Sequence, residues 1–239
     1  MIRVELLVSC KNAVKNFGRE KALKNVSFEI KKGQIVGLLG ENGSGKTSLL
    51  NCIAGLSHLS SGEVSINGVS VQDYKVKREL AYMPVVNLFN PKWTIKNAVE
   101  SFSGLFPDFD IKKNADMLKI LNISENTEFR SMSSGTLAKA KLAFTLSRNV
   151  KLYLLDEPFA NIDLVAREEI YSLILREFNP ETTIILSTHF INEIEMLLDR
   201  VMLMKEGRIT ADINVEEYKE KNDKSIVEFY RETMKTEVS

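Results

Sequence analysis

The segment Gly40-Glu41-Asn42-Gly43-Ser44-Gly45-Lys46-Thr47 constrains this chain more than any other. It has the full spacing of a phosphate-binding loop. It lies between an apolar run at 35–39 and a stretch where Leu49, Leu50, Ile53 and Ala54 share one helical face. Glycines let the backbone turn its N–H groups inward, and a helix starting after Gly45 adds favourable partial charge for an anion. Lys46 supplies a point charge for the β- and γ-phosphates, and Thr47 a hydroxyl for Mg²⁺. The loop therefore predicts a strand, a turn and a helix that together hold a nucleoside triphosphate with Mg²⁺. Asn42, Gly43, Ser44, Gly45, Lys46, Thr47 and Ser48 are the expected contacts.

Three more apolar runs, at 152–155, 183–186 and 201–204, have the character of strands buried on both faces. Helical patterns separate most of them. Residues 164–178 form one such pattern, with Ile170, Leu173, Ile174 and Phe178 on one side. Buried strands followed by helices predict an α/β fold with a mostly parallel sheet covered on both faces. Residues 1–34 and 60–72 alternate apolar and polar positions between glycine turns, so an antiparallel β subdomain is expected there. Residues 92–148 interrupt the parallel rhythm with helical patterns at 93–102, 111–121 and 137–147, an α-helical insert. The stretch after Asn214 is charged and helical, giving a division at 1–212 and 213–239.

Composition narrows the function classes. The 239 residues are 44% apolar, enough for a buried core. Lys and Arg total 32 against 32 Asp and Glu, so no basic footprint argues for nucleic acid. Cys10 and Cys52 cannot make a disulfide framework, and reduced thiols are expected. No apolar run approaches the roughly 18 residues of a spanning helix. Residues 6–10, ending in Cys10, are too short for a signal segment and are expected to form a strand. A soluble chain is predicted, with any membrane role exercised through a partner.

The run 152–155 ends in Asp156-Glu157-Pro158. Ligands of open parallel sheets bind at the carboxyl ends of the strands, so both carboxylates are expected to face the crevice of the phosphate loop. Asp156 is expected to hold Mg²⁺, and Glu157 to act as general base on the attacking water. His189, after Ser187-Thr188, stands at another strand's carboxyl end, where a histidine can hydrogen-bond a γ-phosphate. His58 has no such context and is expected on the surface. No Asn-Lys-x-Asp guanine-reading motif follows the loop, which argues against GTP.

With Ala160-Asn161-Ile162-Asp163, Ser187-Thr188-His189 and the leading stretch Ala22–Phe28 and Lys32–Leu38, these motifs stand in the order and spacing of ATP-binding cassette ATPases. The chain resembles that family from about its N-terminus to about Asp212. The resemblance implies a P-loop NTPase core and Mg²⁺-dependent ATP hydrolysis. It matches Phe17 to the aromatic that stacks on adenine. It matches Met132-Ser133-Ser134-Gly135-Thr136 to the signature that grips the γ-phosphate held by a second cassette, with Ser133 and Gly135 retained. Asp163 matches the residue coupling the two sites, and His189 the switch histidine. The family pattern also implies an integral membrane permease subunit as partner, a head-to-tail dimer with a second cassette, identical or different, and a peripheral place on the cytoplasmic face of the membrane.

The chain departs from that pattern in two places. Ser134 and Thr136 replace a Gly and a Gln of the signature, a variant similar to those of bacterial exporters, so export is the expected direction. Val85 stands where the family has Gln or Glu reaching Mg²⁺ and the attacking water, and Asn87, two residues on, is a candidate substitute. Two other readings compete with a transporter subunit: a soluble cassette protein outside transport, and an ATP-binding module that barely hydrolyses.

Overall fold

The structure, a computed structural model, describes residues 5–160 and 162–235. Two long strands, β1 (Leu6–Phe17) and β2 (Glu20–Lys31), pair antiparallel. Then come β3 (Ile35–Leu39), α1 (Lys46–Ile53), β4 (Ser61–Ile66), β5 (Val69–Ser70) and β6 (Leu80–Met83). The helical stretch holds α2 (Ile95–Leu105), α3 (Ile111–Ile120) and α4 (Ser134–Leu146). The chain continues through β7 (Leu152–Asp156), α5 (Leu164–Glu177), β8 (Thr183–Thr188), α6 (Ile191–Ile194), β9 (Arg200–Lys205) and β10 (Arg208–Asn214). It closes with α7 (Val215–Asn222) and α8 (Ile226–Lys235).

The main sheet has the order β10-β9-β3-β8-β7-β6. Its strands run parallel except for β10 at one edge, which pairs antiparallel with β9. A second sheet, β2-β1-β4-β5, is antiparallel throughout. Leu7, Val8 and Cys10 are buried within β1, which confirms the expected strand at the start of the chain.

Side chains alternate faces along a strand, and the main sheet uses both. Ile35, Leu39, Tyr153, Leu155, Ile184, Leu186, Val201 and Leu203 enter one apolar core together with buried residues of α2–α5. Val36, Leu38, Leu152, Leu154, Ile185, Met202 and Met204 enter the other, with α1 and the antiparallel sheet. Strands loaded on both faces lose period-2 alternation, which is why they read as plain apolar runs. The insert has no separate core: Phe109, Phe129 and Phe144 pack in the first cluster beside the strand residues.

Helix ends follow their caps more than their apolar periods. Thr94 accepts from Asn97 N–H in a capping box, so α2 begins at Ile95 and runs on to Leu105, not 93–102. Ser133 caps α4, which therefore starts at Ser134, before the apolar pattern at 137 becomes visible. Asp110 and Asp163 cap α3 and α5 in the same way. The charged tail is two helices, anchored by Val215 and Ile226, both buried. Residues 236–239 of that expected extension, and residues 1–4 of the first, lie outside the described residues.

Candidate nucleotide site

Helix α1 differs from α2–α5 and α7 at its N-terminus. Each of those carries a side-chain cap, whereas Gly45 at the cap of α1 offers none and no acidic residue follows in the first turn. Uncapped first-turn N–H groups leave an anion site. Glycine at 45 is required twice over. Its φ is +106°, and a Cβ there would stand 2.6 Å from Ala22 O. A Cβ on Gly40 would stand 2.2 Å from Met204 O, so the loop lies directly against β9.

Around that terminus opens a cavity of about 630 Å³. Phe17, Asn42, Gly43, Gly45, Lys46, Thr47, Ser48, Val85 and Glu157 line it, together with residues of the first part of β2 and of the turn after β9. Phe17 is 53% exposed at the end of β1, with the Lys15 ammonium 4.7 Å from its ring centre. An exposed aromatic beside a phosphate cavity offers a face for a base.

Lys46 is 6% exposed; its Nζ donates to Gly40 O at 2.8 Å and Glu41 O at 3.0 Å and lies 3.4 Å from Glu157 Oε1. Asp156, 1% exposed, accepts from three hydroxyls: Ser187 at 2.6 Å, Thr47 at 3.2 Å and Tyr82 at 3.2 Å. Strand register sets this arrangement, because Asp156 and Ser187 are partners across β7 and β8. Burial pushes the Tyr82 phenol far up, and the Asp156 charge adds to it, so the hydroxyl stays a donor. Glu157 follows in the left-handed region at φ +49°, its N–H directed at Ser187 Oγ and Ser187 O. A strained non-glycine residue at a strand end is a mark of a functional position. Its Oε2 meets His189 Nδ1 at 3.0 Å.

Ser44 Oγ and Glu157 Oε1 are buried without a hydrogen-bond partner. Of these two only Glu157 lines the cavity, and its buried Oε1, paired with Lys46 alone, fits a ligand that completes it. Thr47 and Asp156 provide hard oxygens suited to Mg²⁺. Among the described residues no cluster of three His, Cys, Asp or Glu could hold a metal alone.

The structure thus brings together Phe17, residues 42–48, Asp156, Glu157 and His189. Ser133, Gly135 and Asp163 do not line this cavity. Ser133 and Asp163 cap their own helices, and Gly135 is buried, the space where its Cβ would sit being 3.4 Å from Ala166 Cβ. Asn161 lies outside the described residues. Asn87, the candidate substitute for the missing glutamine, does not line this cavity. Its Oδ1 accepts from Phe89 N–H at 3.0 Å, a local turn that holds it away from the cavity. Val85 does line the cavity, through an apolar side chain. His58 is exposed, as expected. Tyr82 and Ser187 escaped the sequence reading as contacts of Asp156, since nothing local marks a hydroxyl on a neighbouring strand.

The description of the ABC transporter family matches residues 23–160. The chain is 32% identical over 216 residues to the ABC transporter ATP-binding protein YtrB of Bacillus subtilis, covering 90% of this chain and 74% of that one. It is 34% identical over 211 residues to the aliphatic sulfonates import ATP-binding protein SsuB 1 of Pseudomonas syringae, covering 87% and 74%. Among solved structures it is similar to a dimeric ATP-binding cassette in a post-hydrolysis state with ADP and Pi. There the TM-score is 0.77 at 25% identity, over 87% of this chain and 98% of that one. The family match over more than half of the chain and these relatives show that the chain belongs to the ABC transporter family as an Mg²⁺-dependent, ATP-binding and ATP-hydrolysing cassette.

Proposed function

We propose that the chain drives a separate membrane permease by binding ATP at the α1 terminus and hydrolysing it with Glu157. The observation that carries this reading is the grouping of Lys46, Thr47–Asp156 and Glu157–His189 around one uncapped helix end. Lys46 exchanges its loop carbonyls for phosphate oxygens. Thr47 and Asp156 hold Mg²⁺, which neutralises phosphate charge. Glu157 takes the proton of the water that attacks the γ-phosphorus as ADP departs, and His189 orients that carboxylate. Phe17 stacks on adenine. Ser133 and Gly135 act on ATP held by a second cassette, head to tail, and Asp163 couples the two sites.

Among the described residues no helix is long and apolar enough to cross a membrane. In this proposal the chain meets the bilayer through the permease and is peripheral on the cytoplasmic face. A second hollow of about 310 Å³ supports a docking place between β6 and the helical stretch, walled by Val86, Leu88, Phe102, Phe106 and Phe144. The expected export direction gains no support from the comparisons, since SsuB 1 is named for import. In either direction ATP binding closes the cassette dimer and hydrolysis reopens it.

The test compares wild type with Glu157→Gln. The variant should keep ATP binding, lose about 10²–10⁴ in kcat, and accumulate as an ATP-bound dimer on gel filtration. Equal background rates in both proteins, with the permease present, would instead support the weakly hydrolysing module that Val85 suggests.

A further inference from the structure

Lys141 sits in the middle of α4 among Ala140, Leu142, Ala143 and Phe144, all buried, and is itself only 9% exposed. Its neighbour Lys139 meets Glu169 at 2.7 Å on the outer side of the helix. Lys141 has no carboxylate within ion-pair distance among the described residues. Its Nζ instead donates to Pro84 O at 2.5 Å and Val85 O at 2.8 Å. A buried ammonium held only by neutral carbonyls costs stability relative to an apolar side chain of the same length. Burial pushes it down to about 8, with the Asp156 charge pulling the other way. Packing alone does not explain a charge at this position.

The loop it grips borders both hollows of the molecule. Val85 lines the nucleotide cavity, while Pro84, Val86 and Leu88 line the apolar hollow beside it. Val85, Val86 and Leu88 are exposed and apolar, so none of their side chains can anchor the loop by a hydrogen bond. At the other end of the same helix Ser133 caps the first turn. One side chain therefore joins the helix capped by Ser133 to the wall of the nucleotide cavity, across 56 residues of sequence.

We propose that Lys141 is a positioning residue for ATP hydrolysis. By holding the carbonyls of Pro84 and Val85 it makes α4 and this cavity wall move together, a link that the Val85 side chain cannot make. The proposal rests on the reading of the 630 Å³ cavity as the ATP site. A wild-type chain that binds no nucleotide there would overturn that reading, whereas the arms below act on Lys141 alone.

Lys141→Met keeps the length and removes the donors, and Lys141→Arg keeps donors. Both are compared with wild type by thermal melting, by binding of a fluorescent ATP analogue, and by kcat and KM for MgATP. Lys141→Met should bind the analogue and show a KM within about threefold of wild type while kcat falls about tenfold or more. Lys141→Arg should recover at least about half of kcat. A Lys141→Met kcat within about twofold of wild type overturns the proposal. So does a Lys141→Arg loss equal to that of Lys141→Met at an unchanged melting temperature. If Lys141→Met does not fold, hydrogen exchange on the wild type decides. Residues 84–88 and 134–146 should slow together when ATP is added, and slowing of one segment alone overturns the link.

Discussion

The N-termini of α1 and α4 are built in opposite ways, although a phosphate is assigned to each. At α1, Gly45 leaves the first-turn N–H groups without a side-chain cap, and Lys46, Thr47 and the hydroxyl-backed Asp156 surround the opening. At α4, Ser133 already accepts from Thr136 N–H at 3.2 Å and lies 2.9 Å from Thr136 Oγ1. Gly135, one residue into the same turn as Ser134, is packed against α5. Each helix also buries a lysine. Lys46 has two carbonyls and a nearby carboxylate, while Lys141 has two carbonyls only. The α1 end is a receptor that one chain completes. The α4 end is satisfied by its own Ser133, and in the function proposed above it meets a phosphate only when a second cassette brings one.

This contrast can be broken most sharply at Gly45. Gly45→Ala forces a Cβ into the left-handed region against Ala22 O and should weaken ATP binding by the lone chain about 10²-fold, read by titration of a fluorescent analogue. Phe17→Ala should weaken it less, by about tenfold, the loss of one base–aromatic stack. It should also reduce discrimination between ATP and GTP in a competition titration.

Ser133→Ala should remove about 1 kcal/mol of helix cap from the unfolding free energy in urea. It should leave nucleotide binding by the single chain unchanged and lower turnover only at concentrations where the dimer forms. An equal loss of lone-chain binding would erase the distinction between the two helix ends.

The smallest effect is electrostatic. Lys141 is held below its unfolded value, so as pH rises from 7 to 8 the native state releases protons that the unfolded chain retains. Stability should therefore rise with pH, by a few tenths of a kcal/mol over that interval. That increment should vanish in Lys141→Met, measured by urea unfolding at the two pH values.

Much of the site was legible because it is local. The phosphate loop, the Asp156-Glu157 strand end and the strand-end His189 are each written within a few residues of a buried run. Helix ends were read less well, because the periodic signal begins with apolar residues, whereas the helix begins at its cap, as at Ser133 and Thr94. Helix α4 was placed at 137–147 and begins at Ser134, its first turn carrying no apolar pattern to mark it.

The sequence by itself determined that strand, loop and helix form a triphosphate site, and that two carboxylates follow a buried strand. Spacing and residue type suffice for such features, because the backbone geometry of a short segment fixes them. Only the tertiary structure decided that Tyr82 and Ser187 hold Asp156, from 74 and 31 residues away. It alone turned Asn87 outward and set Lys141 on the carbonyls of Pro84 and Val85. Those contacts depend on strand order and register across the sheet and on how α4 lies against it, and no local period in the chain encodes either.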